Sequence, residues 1–192
     1  QIVKMLTLKT AVLLEFAAQA GYMIGADVAD FADARVQRIG AFATSAGLAF
    51  QLQDDLLGML GTEAELGKPV GADLREGKHT LLFSESCSRC TYAERRRLSQ
   101  LHGKKDLTGA ELVEARRLMH DCGAVAHVRR LAARHVAAAF KGHEQIRTRG
   151  FHAGLAIERA CTITTQSYKS CRSGVYPAIT EPELANVLIP VP

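Results

Sequence analysis

A chain of 192 residues, 47% hydrophobic and 23% charged, has room for one domain with a sizeable core and lies in the range of ordinary soluble globular proteins. No apolar run approaches the ~20 residues that span a bilayer, and no secretory pattern follows Gln1, so the expected setting is cytoplasmic with no membrane span. The net charge of +4 is unevenly spread: residues 1–80 carry 7 Lys/Arg against 10 Asp/Glu, and residues 81–192 carry 17 against 10. The basic residues alternate with acids and few aromatics lie among them, which argues against a nucleic-acid surface.

In chain order, residues 2–24 place Ile2, Met5, Leu6, Leu13, Phe16, Ala17, Ala20 and Ile24 near a helical period. The chain opens without Met and already inside that pattern, so an N-terminal part is expected to be missing. Asp27, Asp30 and Asp33 lead into a second helix from about Ala34, with Ile39, Phe42, Ala46, Ala49, Phe50, Leu52, Leu56 and Leu57 inward. Its small residues Ala41, Ala43, Ser45 and Gly47 allow a neighbouring helix to come close. Residues 58–79, punctuated by five glycines and Pro69, read as a long loop, a type that in compact domains is usually functional. A short helix is expected from Thr80 and another over Tyr92–Leu101. Thr108 and Glu111 have capping-box spacing and open a helix to about Cys122; after Gly123 a last helix runs through His143. No strand is predicted and the class is all-α. The expected domain covers residues 1–145. Residues 146–192 lose helical periodicity and read as an irregular tail, either loosely structured or the product of a shifted reading frame.

Five cysteines and no secretory pattern do not suggest a disulfide framework. Cys87 and Cys90 form one CxxC, readable as half a zinc site with His102, His120 or Cys122, as a redox pair, or as incidental thiols.

The chemistry concentrates at residues 50–80. Asp54 and Asp55 sit near the C-terminal end of an apolar helix, where acids oppose the helix dipole and a cation would offset the cost. Magnesium suits such a place because it takes one or two carboxylates together with waters and phosphate oxygens. Taken alone, the two acids are equally readable as an exposed helix end. Lys68, Arg75 and Lys78 follow on the loop, and Lys9 and Thr10 lie on the preceding helix. Lysines provide point charges for phosphate oxygens, and Thr10 and Gln51 can donate hydrogen bonds.

These motifs, LKTA at residues 8–11, GLAFQLQDDLLG at 47–58 and GKPVGADLREGKHT at 67–80, resemble the C-terminal half of the trans-isoprenyl diphosphate synthases, the polyprenyl synthetase family, in their geranylgeranyl-type form. The resemblance covers roughly three quarters of the chain. It implies an isoprenoid-synthase-type helical bundle, incomplete at its N-terminal helices, and condensation of isopentenyl diphosphate with an allylic diphosphate. By motif, Asp54 and Asp55 correspond to the magnesium-binding acids, and Lys9, Thr10, Gln51, Lys68 and Lys78 to the residues that hold the allylic diphosphate. The family pattern is DDxxD, with acids at i and i+4 on one helix face. Here its last position is Gly58, and Asp73 or Glu76 is left to supply a further oxygen. The first aspartate-rich motif is not found in the 192 residues. The chain alone is therefore expected to be inactive; a homodimer or association with a complementary synthase subunit is expected, and the apolar faces of residues 2–24 and 34–57 are expected to lack partners and invite association.

Overall fold

The computed structural model describes residues 1–63 and 69–147, with side chains through residue 142. Among these residues every regular element is helical. A short helix α1 (Ile2–Leu6) passes through one wide π-helical turn (Thr7–Ala11) into α2 (Val12–Gly25). Then come α3 (Ala34–Leu60), α4 (Ala72–Arg75), α5 (Leu81–Arg89), α6 (Tyr92–Leu101), α7 (Gly109–Asp121) and α8 (Ala124–Arg147). The tail expected from residue 146 lies outside the described residues, apart from two positions that continue α8.

Local chemistry sets the helix starts. Asp33 takes the Arg35 backbone N–H at 2.7 Å and opens α3; Thr80 takes that of Phe83 at 3.2 Å and opens α5. Thr91 and Thr108 each complete a reciprocal capping box, with Glu94 and Glu111. The Thr108 box stands where its spacing predicted it.

Helix α3 is the spine. Leu52 and Leu56 are essentially buried on it, as are Leu98, Leu101, Ala115, Met119 and Val128 from α6, α7 and α8 around them. A smaller cluster of Val36, Ile39, Phe42 and Ala43 closes against Tyr22 and Ala139. Six of the eight predicted inward residues of α3 are buried, and Ala46 and Phe50 are half-buried. Gly47 explains the close approach of the first helix: a Cβ there would lie 3.2 Å from the Ala11 Cα, so the π-helical turn rests nearly backbone to backbone on α3.

Two sequence expectations change. The helix expected through Leu60 ends there, so the loop read from residue 58 begins only after it, with Gly58 buried inside α3. The long loop also contains α4. It starts at Gly71, whose φ of 77° is a left-handed conformation open to glycine at little cost, and Arg75 Nη1 locks the turn by donating to the Val70 carbonyl at 2.6 Å.

Of the two apolar faces expected to lack partners, that of residues 34–57 is instead buried by the later helices, and that of residues 2–24 is bare. Leu8, Leu13 and Phe16 are each about two-thirds exposed, and Ile24 more so; the helix meets α3 instead through Leu6, Ala11, Gln19 and Tyr22. No helix of the described residues is long and apolar enough to cross a membrane.

Candidate functional site

A thread of polar contacts crosses from the first helix to the loop. The Thr10 hydroxyl, in the π-helical turn, donates to Gln51 Oε1 at 3.2 Å. Gln51 Nε2, one turn before the acids on α3, donates to Asp55 Oδ1 at 3.1 Å. The Lys78 ammonium lies 3.5 Å from that same oxygen and 3.1 Å from Asp73 Oδ2. Thus Thr10, Gln51, Asp55 and Lys78, all singled out from sequence, meet in one place. The wide turn that carries Thr10 is the kind of local defect that often marks functional positions in helices.

The remaining candidates sit differently. Lys9 is exposed and forms no ion pair with a carboxylate of the described residues. Asp54 is half-buried on the same turn as Asp55. Lys68 lies outside the described residues. Glu76 is exposed, whereas Asp73 is half-buried and faces α3, which separates the two acids that the sequence left equivalent.

Asp55 carries the largest electrostatic strain. It is 2% exposed, and its Oδ2 has no hydrogen-bond partner among the described residues. Burial pushes its carboxyl above the usual range; the Lys78 charge and the Gln51 hydrogen bond pull the other way, and the charges of Asp73 and Asp54 add to the rise. Burial also opposes the charge on Lys78. The hydrogen bond to Asp73 and the charges of Asp55, Asp73 and Asp54 more than offset this and hold the ammonium above its ordinary value. Both partners move upward because Asp55 is buried while Lys78 is more than a third exposed and divided between two carboxylates.

Arg116, which sequence reasoning passed over, closes the end of α3. Its Nε donates to the Met59 carbonyl at 2.7 Å and its Nη2 to the Gly61 carbonyl at 3.1 Å. A guanidinium on the last carbonyls supplies the positive charge that the dipole favours there. Nothing in the sequence separates it from the neighbouring Arg117.

His102, read from sequence only as a possible zinc ligand beside the CxxC, has a different role. Its ring stacks on Phe83 at 3.9 Å between centroids, and its Nε2 lies 3.2 Å from the Lys78 carbonyl. Beside it, Gly103 N–H donates to the Leu74 carbonyl at 2.8 Å. The end of α6 thus fastens the backbone that carries Lys78.

The CxxC residues are free thiols. Burial pushes Cys90 up to about 12, with Cys122 adding to the rise, so the pair offers no ready thiolate. No group of three acidic, histidine or cysteine side chains among the described residues converges as a metal cage.

The sequence pattern of the Polyprenyl synthetase family matches residues 1–119, which includes every residue of this thread. The chain belongs to that family. It is 37% identical over 111 residues to a short chain isoprenyl diphosphate synthase of Methanocaldococcus jannaschii, a match covering 58% of this chain and 33% of that protein. Among solved structures, the geranylgeranyl pyrophosphate synthetase of Pyrococcus horikoshii superposes with a TM-score of 0.70 at 26% identity, over 83% of this chain and 46% of that one. A polyprenyl synthase of Caulobacter crescentus, solved with calcium and isoprenyl diphosphate, gives 0.65 at 31% identity, over 75% of this chain and 43% of that one. The helical isoprenoid-synthase fold expected from the motifs is therefore the fold of this family member. The chain spans about a third of the length of the curated relatives it matches.

Proposed function

We propose that this chain provides the allylic-diphosphate side of a prenyl-transfer site of geranylgeranyl diphosphate synthase type, in which isopentenyl diphosphate is condensed with an allylic diphosphate. The observation that carries the reading is the thread Thr10–Gln51–Asp55–Lys78, which joins motifs from three distant parts of the sequence. An orphaned carboxylate oxygen beside a single ammonium suits an open magnesium site, completed by waters and phosphate oxygens rather than closed by protein. Asp54 and Asp55 would hold the metal. Bound there, the ion supplies positive charge to the departing diphosphate.

The chain's own groups do the rest. Lys9 and Lys78, with Lys68 by its place in the motif, stabilise negative charge developing on the phosphate oxygens as the allylic C–O bond breaks. Thr10 orients Gln51, whose Nε2 fixes Asp55 with one N–H and keeps the second for the anion. His102 and the Gly103 backbone keep the Lys78 strand in register with α3.

The test is a condensation assay with magnesium, labelled isopentenyl diphosphate and an allylic diphosphate. We expect no elongated product from the 192-residue chain alone, because the sequence contains no first aspartate-rich motif. Robust turnover would contradict that half of the proposal.

The bare apolar face of α1 and α2 favours a second reading, a non-catalytic subunit that pairs with a complete synthase. Stable co-purification with a full-length family synthase supports it; separate elution of the two proteins counts against it. A self-association through the same face would give a homodimer in sedimentation.

A further inference from the structure

Three cysteines meet where the ends of α5 and α7 come together, and the diphosphate reading uses none of them. Cys87 stands in the last turn of α5, Cys90 caps the C-terminal end of that helix, and Cys122 caps the C-terminal end of α7.

One turn of α7 holds two of these residues together. The Leu118 carbonyl accepts the Cys122 backbone N–H at 3.2 Å, and it also accepts the Cys90 S–H, with sulfur and oxygen 3.9 Å apart. Cys122 Sγ donates to the next carbonyl, that of Met119, at 3.5 Å. The Cys90 and Cys122 thiols lie within hydrogen-bond reach of one another. Sulfurs at that separation need to close by only about 2 Å to bond. Cys122 is the more accessible of the two, half-buried where Cys90 is 5% exposed.

The spacing of Cys87 and Cys90 does not make them the reacting pair. A CxxC pair becomes reactive at a helix N-terminus, where the dipole stabilises the thiolate. This pair sits at the opposite end of its helix, and burial pushes both thiols up. Arg95 pulls the Cys87 thiol down, but by less than burial raises it. The chemistry left to the group is a bond between two sulfurs that come from different helices.

We propose that Cys90 and Cys122 are a reversible redox site, closing a disulfide across the ends of α5 and α7 when the chain meets a small-molecule disulfide. The Cys122 thiolate attacks one sulfur of R–S–S–R; that S–S bond breaks, Cys122 is left joined to one RS group, and the other leaves and takes up the Cys122 proton. Cys90 then attacks the Cys122 sulfur, and the second RS group leaves with the Cys90 proton. The protein gives up two electrons and two protons, and the external disulfide becomes two thiols. Excess thiol reverses both steps.

The ring so closed spans residues 90–122 and contains both ties that back the candidate site. These are His102 and Gly103 on the Lys78 and Leu74 carbonyls, and Arg116 on those of Met59 and Gly61. Oxidation restricts this ring in the unfolded chain and so stabilises the α6–α7 pair that holds the Lys78 segment and the end of α3.

The test incubates the full 192-residue chain, without denaturant, with oxidised glutathione, and follows free thiols, the thermal midpoint and the linked peptides of a tryptic digest. Arg89 lies between Cys87 and Cys90, so trypsin places them on different peptides. We expect the loss of two thiols, a Cys90 peptide joined to a Cys122 peptide, and a midpoint raised by about 5 °C or more, all reversed by dithiothreitol. Cys122→Ser or Cys90→Ala should abolish the linked pair and the shift, whereas Cys87→Ser should leave both unchanged. The proposal is overturned if no thiol is lost, if the linked peptides are those of Cys87 and Cys90, if either partner joins Cys161 or Cys171 instead, or if Cys122 remains a mixed disulfide with glutathione. The peptide map is read on the unmodified chain, so a variant that fails to fold cannot mask the result.

Discussion

The first helix and the α3–α8 bundle invite comparison, because both are rich in apolar residues and only one has buried them. On α3, Leu52 and Leu56 are almost wholly enclosed. On α1 and α2, Met5, Leu8, Val12, Leu13 and Phe16 stand substantially exposed. The difference lies in the partners: α3 packs against α4, α5 and α8, whereas the first helix touches α3 along one side only. That side nevertheless carries Thr10 to Gln51. The region with the barest apolar surface therefore contributes the first link of the site.

The comparison can be broken most sharply by truncating one leucine on each side. Leu52→Ala should cost about 2–5 kcal/mol in chemical denaturation, as a buried side chain leaves a cavity. Leu13→Ala should change stability by less than about 0.5 kcal/mol, because little area is buried there. It should instead reduce self-association in sedimentation. Equal losses of stability in the two variants would mean that the outer face of α2 is covered in solution.

Smaller effects probe the thread and the caps. Lys78→Met should cost about 1 kcal/mol: it strips the cation from buried Asp55, but an ammonium this exposed is well screened. Thr108→Ala should cost a similar ~1 kcal/mol by removing the capping box of α7.

The pH dependence separates the site from the caps by sign. Glu111 is held down to about 2 by its hydrogen bonds to Lys104 and to Thr108. Its contribution is present above the unfolded carboxylate value of about 4.3 and is lost as the pH falls through the folded one. Asp55 is raised by burial, so the native state binds its proton more tightly than the unfolded chain does. Its contribution is present below the unfolded value of about 3.9 and is lost as the pH rises through the folded one. Asp55→Asn should accordingly raise the thermal midpoint at neutral pH, and Glu111→Gln should lower it. A lowered midpoint for Asp55→Asn would show that Lys78 and Gln51 fully offset the burial.

Local signals made the helices legible. Thr108 with Glu111 and Asp33 before α3 each act within a few residues, so their spacing is enough to read them. The thread's members were legible through motifs, but their connection was not. Gln51 and Thr10 are 41 residues apart, and only the approach of Ala11 to Gly47 brings them together. Asp73 and Glu76 could not be told apart because their separation depends on the left-handed turn at Gly71 and the bond from its N–H to Gly58. Arg116 left no signal and His102 was read for another role, since each acts by meeting a backbone carbonyl distant in sequence.

The central claim is that this chain holds the diphosphate of an allylic substrate through a metal-assisted site at the end of α3. Calorimetric titration of the unmodified 192-residue chain with an allylic diphosphate, with and without magnesium, tests it most directly. The account predicts saturable binding that requires magnesium and disappears in Asp54→Ala. Binding of equal strength without the metal, or none with it, would contradict the account.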